Sequence, residues 1–543
     1  MTYHGKHRER RAGLWRRRAW SVAALIFLTG LLGIPLLGLA QDAAGTAATV
    51  AYRDIPQLGG SRNIIWVIAQ QHLLLAGFVL GVPIFAWVCE IVGVRTGDKR
   101  YDKLAKEFTK LLTSAYATTA LFGGILLFML LGFYPKLMAY LTDIFFPSFV
   151  VYCALFLLET VTLYLYWYGW DVMQGGGKKG LHLFLGLLLN VFAFFIMIVP
   201  NSWATFQASP VVVAEGSALA RAWAATWNPT WWPVNVPRLI ANVVLGGFIC
   251  GAYAGMRYLS ATTHQERVHY DWMGYVGNFI GVFGMLPLPF AGYWLMREVY
   301  QYNQQMGITL MGGFLSWLFI LQAFLIGVLF LGANYYFWLG ITHRIEGSEV
   351  KYRRPIMAML VILLLCLGVW MTPHSLVASL EEARKMGGTH HPLLGVFGVM
   401  SAKMTVVNIM ILVTFMSFII YWREMIWGRM PPRAGYALVL NAVMVILLMT
   451  LMGYARSSSR VHWHIYGVMR DSSQYAYSPA LGYAAAFMSL NTFVFCLLVA
   501  FIFWVATMGD KAKAGEPGTK KKLPAGAYPA MAGGSPTLDQ REG

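Results

Sequence analysis

The feature that most constrains this chain of 543 residues is a series of apolar runs, each long enough to cross a lipid bilayer. An α-helix rises about 1.5 Å per residue, so about 20 apolar residues span the hydrocarbon core. Eleven such runs follow one another, near 64–93, 110–133, 145–168, 181–201, 237–258, 272–296, 312–338, 355–372, 394–421, 435–454 and 481–507. Because backbone in lipid must satisfy its own hydrogen bonds, the sequence predicts an all-α, polytopic membrane helical bundle with 11 spans.

Composition excludes the main alternatives to a membrane protein. Hydrophobic residues make up 58% of the chain and charged residues 12%, whereas soluble domains are about a quarter charged. The aromatic content of 15% is too high for a disordered chain. The net charge of +18 is distributed in patches between the apolar runs, which indicates topology and not a nucleic-acid partner.

The two termini differ from the bundle. Basic residues from Lys6 to Arg18 precede an apolar run from Ala19 to Leu39, so residues 1–40 are either a signal peptide or a first transmembrane helix. Residues 41–508 then form the membrane bundle. The Gly-, Pro- and Lys-rich residues 509–543 are predicted to be a disordered cytoplasmic tail.

Basic residues are concentrated in alternate loops along the series of spans. Loops predicted inside are basic, as at Arg95–Lys110, Lys178–Lys179 and Arg344–Arg354, whereas the longer loops 202–236, 373–393 and 455–480 are predicted outside. This bias follows the positive-inside rule.

Three of the ionisable residues within predicted spans are singled out, because a charge there is costly and indicates function. His72 lies in the outer half of the first span, and either bonds a neighbouring helix or is an axial ligand of haem iron. Glu90 lies at the inner end of that span, about 27 Å away, and could simply anchor the helix. Glu159, in the third predicted span, could relay protons or pair with an arginine.

Histidines are also concentrated in the outer loops, where they are either solvated or bind metal or haem. They are His374, His390, His391, His462 and His464. No HExxH or CxxC pattern occurs, so zinc and covalent haem have no motif support.

Three stretches resemble subunit I of the cytochrome bd quinol oxidase family. The first runs from His72-Leu-Leu-Leu to Cys89-Glu90 and Arg95-Thr-Gly-Asp-Lys99. The second holds Phe156-Leu-Leu-Glu159-Thr160 and ends on Gly169-Trp-Asp171, and the third is Arg460-Val-His-Trp463. The likeness is clear over 64–260 and faint over 395–505.

The resemblance implies a respiratory membrane subunit in a bacterial inner membrane, with haem of b and/or d type as cofactor and quinol as substrate. His72 would be the axial ligand of a high-spin haem. Glu90 and Glu159 would be the catalytic carboxylates, with Glu159 on the proton path. Arg460 and Trp463 would lie near the quinol, and other membrane subunits and a periplasmic cytochrome c would be partners.

Several positions depart from the family pattern. The histidine of the low-spin haem aligns with Asn242, and its methionine partner with Met404, or with Met400 in a shifted alignment. A carboxylate of the penultimate helix aligns with Thr450. Either outer histidines such as His462 and His464 replace the missing ligands, or some haems are absent.

Three functions therefore compete. The first is a haem-bearing subunit that moves electrons from quinol to oxygen or to a partner acceptor. The second is a haem-depleted subunit that binds quinone or anchors a respiratory complex, which Asn242 and Thr450 favour. The third, a transporter, predicts paired broken spans, and the sequence shows no such pattern.

Overall fold

A computed structural model describes most of the chain. It covers residues 60–471 apart from 214, 312–314, 373–390, 392, 396–397 and 421–424, together with 54, 55, 473 and 481–514. The predicted signal peptide or first helix, the tail beyond Ala514, and His374 and His390 lie outside the described residues.

Fifteen helices and one short hairpin are present in the described residues. The helices are α1 (Ser61–Thr96), α2 (Lys99–Phe133), α3 (Pro135–Gly169), α4 (Gly177–Phe206), α5 (Ala218–Thr226), α6 (Trp231–Leu259), α7 (His264–Gly284), α8 (Leu288–Tyr302), α9 (Gln304–Met311), α10 (Ser316–Arg344), α11 (Ser348–Lys351), α12 (Arg353–Trp370), α13 (Val399–Ile420), α14 (Pro432–Ser459) and α15 (Leu481–Ala514). The antiparallel strands β1 (Trp463–Ile465) and β2 (Met469–Arg470) pair between α14 and α15.

The all-α fold and the 11 spans are confirmed: eleven helical segments of the described chain are long and apolar enough to cross a membrane. Most of these helices extend beyond the predicted runs. The sixth predicted span, 272–296, is divided between α7 and α8. The break falls just before Pro287, which lacks an N–H and therefore favours a new helix start.

The core of the bundle is formed by α1 and α6. In the most apolar stretch of each helix, 67% of the residues are buried in α1 and 72% in α6, compared with 11% in α2 and 17% in α3. Glycines allow this central packing: a Cβ at Gly81 of α1 would clash with the carbonyl oxygen of Asn242 on α6. Close approach at small residues is the usual means of helix association in lipid.

Successive spans run in opposite directions, so the loops that connect them lie at two ends of the helical bundle. One end, here called the basic end, carries the connections Gly97–Asp98, 170–176, 260–263 and 345–352 and the described residues 425–431. The other, here called the far end, carries the start of α1, the helix α5 and the β1–β2 hairpin. The sequence predicts that the basic end is cytoplasmic.

Candidate functional site

His72 lies in the far-end half of α1 and contacts α2. Its Nδ1 atom is 3.1 Å from the carbonyl oxygen of Thr119, so Nδ1 carries the proton and donates it. A Cβ at Gly123, one turn further along α2, would lie 2.9 Å from the imidazole Cε1. Among the described residues no hydrogen-bond partner faces Nε2, which is left with a bare lone pair. An Nδ1–H bond to backbone is the usual support of a metal-ligating histidine.

Glu159 is buried on α3 with an exposed fraction of 3%. The hydroxyl of Tyr116 lies 3.3 Å from its Oε2 atom and 2.7 Å from the Thr160 hydroxyl. The predicted alternative, a pairing with arginine, does not occur among the described residues. Because Tyr116 lies one helical turn before Thr119 on α2, α2 connects the surroundings of Glu159 with those of His72.

Asn242 lies in a tight helix contact. Its side-chain Nδ2 approaches the Met197 sulfur at 3.7 Å, and a Cβ at Gly77 would lie 2.9 Å from its Oδ1 atom. α1 and α6 therefore leave no room for a macrocycle between them at this point. The half-buried Met404 belongs to α13, which packs mainly against α10 and α12, whereas α6 packs mainly against α7, α14 and α1. The residues aligned with the low-spin haem ligands do not fit that haem.

Thr450 belongs to a neutral polar cluster between α1, α14 and α15. Asn491 donates to the Thr450 hydroxyl at 3.1 Å, and the Gln71 side-chain amide donates to the Asn491 amide oxygen at 2.8 Å. All three side chains are at most 1% exposed. Thr450, which the resemblance aligns with a carboxylate, is thus bonded within a chain of neutral amides that offers no anionic ligand.

Arg460 and Trp463 follow α14 at the far end. The Arg460 guanidinium donates to the Gln207 side chain and to the His464 carbonyl, both at 2.6 Å. Burial, together with the charges of Arg62 and Arg456, lowers the pKa of Arg460 to about 9, so the group stays charged at neutral pH. Trp463 is half-buried, and its backbone N–H donates to the Arg460 carbonyl oxygen. The motif therefore orders the hairpin against the end of α4.

The three outer histidines that the structure describes, His391, His462 and His464, do not converge on one point. His464 is buried, its ring lies 4.4 Å from that of Tyr134, and burial next to Arg460 and Arg62 lowers its pKa to about 3. It is therefore neutral. His462 is exposed, and the Nε2 of His391 faces the Val369 carbonyl at 3.3 Å. No group of three or more His, Cys, Asp or Glu side chains among the described residues could hold a metal ion.

Positive charge exceeds negative charge at the far end. Arg238 donates to the Asn201 side chain, Arg456 to the Ala204 carbonyl, and Arg460 to neutral oxygens. In the part of the chain that the structure describes, no carboxylate lies within ion-pairing distance of these three guanidinium groups. Partly buried cations without anionic partners favour an anionic ligand.

Asp54 holds the hairpin to the start of α1. Its carboxylate accepts from the Ser61 N–H at 2.8 Å, from the Ile55 N–H at 2.9 Å and from the Ser473 hydroxyl at 2.7 Å. Partial burial would raise the pKa of Asp54, but these hydrogen bonds outweigh it and hold the pKa below its ordinary value. The stabilisation is therefore complete above the unfolded-state pKa and is lost as pH falls through the lower, folded-state pKa.

We expect residues 460–471 to loosen progressively as pH falls below about 4 and through the lower, folded-state pKa of Asp54, because the carboxylate becomes protonated over that range. Limited pepsin digestion of the purified protein across pH 2–5 should show cleavage in this segment rising several-fold toward acid. In Asp54→Asn the cleavage should be high throughout, without that rise. Asp143→Asn, which alters another far-end carboxylate paired with Arg221, should behave like wild type. If pepsin cleavage of Asp54→Asn rises toward acid as it does in wild type, the Asp54 carboxylate is not the group that holds this segment.

At the basic end, Glu90 is fully buried and does more than anchor a helix. It contacts Tyr166 of α3 and both Lys179 and His182 of α4. Sequence reasoning noted Lys179 only as a topology signal and did not single out His182 or Tyr166. The available signal was the spacing of Lys179 and His182, which puts them on one helix face at i and i+3.

Taken together, the fold and these groups define a polytopic helical membrane protein, with an imidazole whose Nδ1 is supported and whose Nε2 has no hydrogen-bond partner within the described part of the chain. The sequence profile of the family described as cytochrome bd terminal oxidase subunit I matches residues 61–516. The chain belongs to the cytochrome bd terminal oxidase subunit I family, a family of respiratory oxidase subunits. A search of curated proteins gives no significant match.

A solved structure described as bd oxidase from Geobacillus thermodenitrificans is similar to this chain. The two are 13% identical, with a TM-score of 0.45, and the alignment covers 83% of this chain and 98% of the other.

Proposed function

We propose that this chain is a haem-bearing subunit of a quinol-linked oxidase, which moves electrons from quinol to oxygen or to a partner acceptor. The observation that carries the proposal is His72, whose Nδ1 donates to the Thr119 carbonyl and whose Nε2 has no partner among the described residues. Family membership supports the same function. Haem bound at Nε2 would supply one-electron chemistry.

The surroundings of His72 support haem at this place. Gly123 lets the imidazole ring pack directly against α2, which holds its orientation. The guanidinium groups of Arg238, Arg456 and Arg460, which have no carboxylate within ion-pairing distance among the described residues, suit the propionates of a haem. Glu159, bonded to Tyr116, would hold or move a proton near that site. Arg460 and Trp463 would border the quinol site, and Met404, His462 and His464 remain less supported ligand candidates.

The number of haems is proposed to be smaller than in the family pattern. Asn242 fills a helix contact and Thr450 is bonded within an amide cluster, so neither would ligate iron. These two positions also favour the second candidate function, a haem-depleted subunit that binds quinone or anchors a complex. In either case other membrane subunits would be the partners, and location in a bacterial inner membrane is proposed. Docking of a periplasmic cytochrome c stays a prediction.

A haem spectrum separates the two functions. The chain, purified with co-expressed membrane partners, should show a Soret band that changes on dithionite addition and a positive pyridine haemochrome. Addition of a short-chain quinol should produce oxygen uptake or reduction of the partner acceptor. A colourless preparation that still binds quinone would reject the oxidase and support the anchor.

A further inference from the structure

Five side chains from four helices meet at Glu90 near the basic end. Glu90 and His182 have no exposed area, and the Glu90 Oε1 atom lies 2.6 Å from the His182 Nδ1 atom and 2.7 Å from the Lys179 ammonium. The Tyr166 hydroxyl donates to the Glu90 Oε2 atom at 2.5 Å, and Lys179 also contacts Asp102 of α2 at 2.6 Å.

Both ring nitrogens of His182 face oxygen atoms that normally accept hydrogen bonds. Nδ1 faces the Glu90 carboxylate, and Nε2 lies 2.9 Å from the Tyr166 carbonyl oxygen. A neutral imidazole carries one N–H, so a neutral His182 next to an ionised Glu90 would leave one nitrogen lone pair against an oxygen lone pair. One additional proton, on Nδ1 or on the Glu90 Oε1 atom, satisfies both contacts.

The surroundings favour this additional proton on the imidazole. The Tyr166 carbonyl belongs to the last turn of α3, where helix carbonyls lack helical partners and a cation is stabilised by the helix dipole. The Tyr166 ring stacks on that of His182 at 4.4 Å, and the Trp170 ring meets it edge-on at 4.8 Å. Stacked aromatic rings also stabilise a cation.

The charges of the cluster balance only with the additional proton. Glu90 and Asp102 supply two negative charges, and Lys179 supplies one positive charge. An imidazolium at His182 brings the sum to zero, and this favours the additional proton because an uncompensated charge is costly at the buried Glu90–His182 pair. The other titratable groups at the pair are the Tyr166 hydroxyl and the Cys89 thiol, which interacts with Tyr166.

The cluster also connects solvent with the interior. The Asp102 side chain is 27% exposed and that of Lys179 14%, whereas Glu90 and His182 are inaccessible. Tyr166, Thr162 and Glu159 lie along the buried face of α3, and seven residues separate Tyr166 from Glu159, about 10 Å along the axis. Bridging water would be needed over this distance.

We propose that Glu90 and His182 form a proton-loading site that binds one proton from the aqueous phase at the basic end and passes it along α3 to Glu159. The proton reaches the pair past Asp102 and Lys179. When the Glu159 carboxylate accepts it, the pair returns to a neutral imidazole and a carboxylate, and it is refilled from solvent. The transfer of the proton to Glu159 rests on the proposed oxidase function, since the reduction of oxygen consumes protons. The binding of the proton by Glu90 and His182 does not depend on that function.

The bound proton can be observed without turnover. In the full chain, labelled with ¹⁵N-histidine and reconstituted in lipid, solid-state NMR at pH 7.5 should show one imidazolium signal that His182→Gln removes. Alternatively, infrared spectra should show one carboxylic acid band that Glu90→Gln removes. If wild type shows neither, the proton-loading site is rejected, whatever the variants do.

Turnover then tests the path, after haem content has been measured. With an unchanged Soret band, Glu90→Gln and His182→Gln should lower kcat at least tenfold with little change in KM and should increase the solvent deuterium isotope effect. Glu90→Asp should recover part of the loss. His343→Gln changes another histidine at the basic end, which within the described residues bonds Leu339 and Thr342 of its own helix. This variant should turn over like wild type.

The two proposals fail differently. Wild-type kcat and isotope effect in haem-replete His182→Gln would overturn the proton path and leave the oxidase assignment standing. Absence of haem from wild type would overturn the oxidase assignment, and with it the path to Glu159, whereas the NMR result would still decide the bound proton. If the substitutions prevent folding, Tyr166→Phe, which removes one hydroxyl donor and keeps the stacked ring, should still lower kcat several-fold. Wild-type turnover in that variant would contradict the path.

Discussion

Replacement of His72 by alanine should remove one haem equivalent from the purified protein. The imidazole supplies the candidate iron ligand. Its Nδ1–H bond to the Thr119 carbonyl fixes the ring, and its Nε2 atom has no hydrogen-bond partner in the part of the chain that the structure describes. Alanine offers no donor atom to iron. The pyridine haemochrome of His72→Ala, normalised to protein, should therefore fall by one haem per chain, and to zero if the chain holds a single haem.

His343→Ala is the matched control, because its Nδ1 atom also faces a backbone carbonyl, that of Leu339 at 2.8 Å, but near the basic end of α10. Its haem content should equal that of wild type. Imidazole added to His72→Ala should restore part of the Soret band, since it can occupy the vacated space, and this restoration excludes misfolding as the cause. Full haem content in His72→Ala would show that the iron is held elsewhere.

The membrane architecture could be predicted because its cause is local. A run of about 20 apolar residues specifies a spanning helix regardless of its neighbours, and all 11 runs became spans. Helix ends were less predictable, since α15 continues to Ala514 through a polar segment that hydropathy alone does not assign to a helix. The division of the sixth span depends on Pro287, whose effect on helix continuity a hydropathy pattern does not show.

The candidate site could be predicted only in part, because its partners come from distant positions. His72, Glu90 and Glu159 were identified as costly groups in apolar runs, but His182 is 92 residues from Glu90 and Tyr116 is 43 residues from Glu159. Nothing in a single sequence states which helices pack together. For Asn242 and Thr450, the sequence revealed that these residues depart from the ligands of the family pattern. Helix packing was needed to show that each one bonds within a helix contact instead.

Arg344→Met should destabilise the folded protein by about 3–5 kcal/mol, the usual cost of removing one partner of a buried ion pair. Arg344 is fully buried and binds both carboxylate oxygens of Asp271 and the Tyr336 hydroxyl, and its guanidinium lies 4.8 Å from the centre of the Trp427 ring. Without it the Asp271 carboxylate stays buried with one backbone donor, the Gly428 N–H at 2.8 Å. The midpoint of thermal unfolding in detergent should fall by several degrees or more.

An exposed ion pair at the same end provides the control. Arg429 contacts Glu346 at 3.2 Å with side chains that are 52% and 75% exposed, and such pairs contribute about 0–1 kcal/mol. Arg429→Met should therefore leave the midpoint nearly unchanged. The double variant Arg344→Met with Asp271→Leu should recover part of the loss, because it removes the uncompensated carboxylate and leaves apolar groups in contact. If Arg344→Met unfolds at the wild-type temperature, or the double variant is no more stable than the single one, the buried charge at Asp271 is not what links α7 to α10.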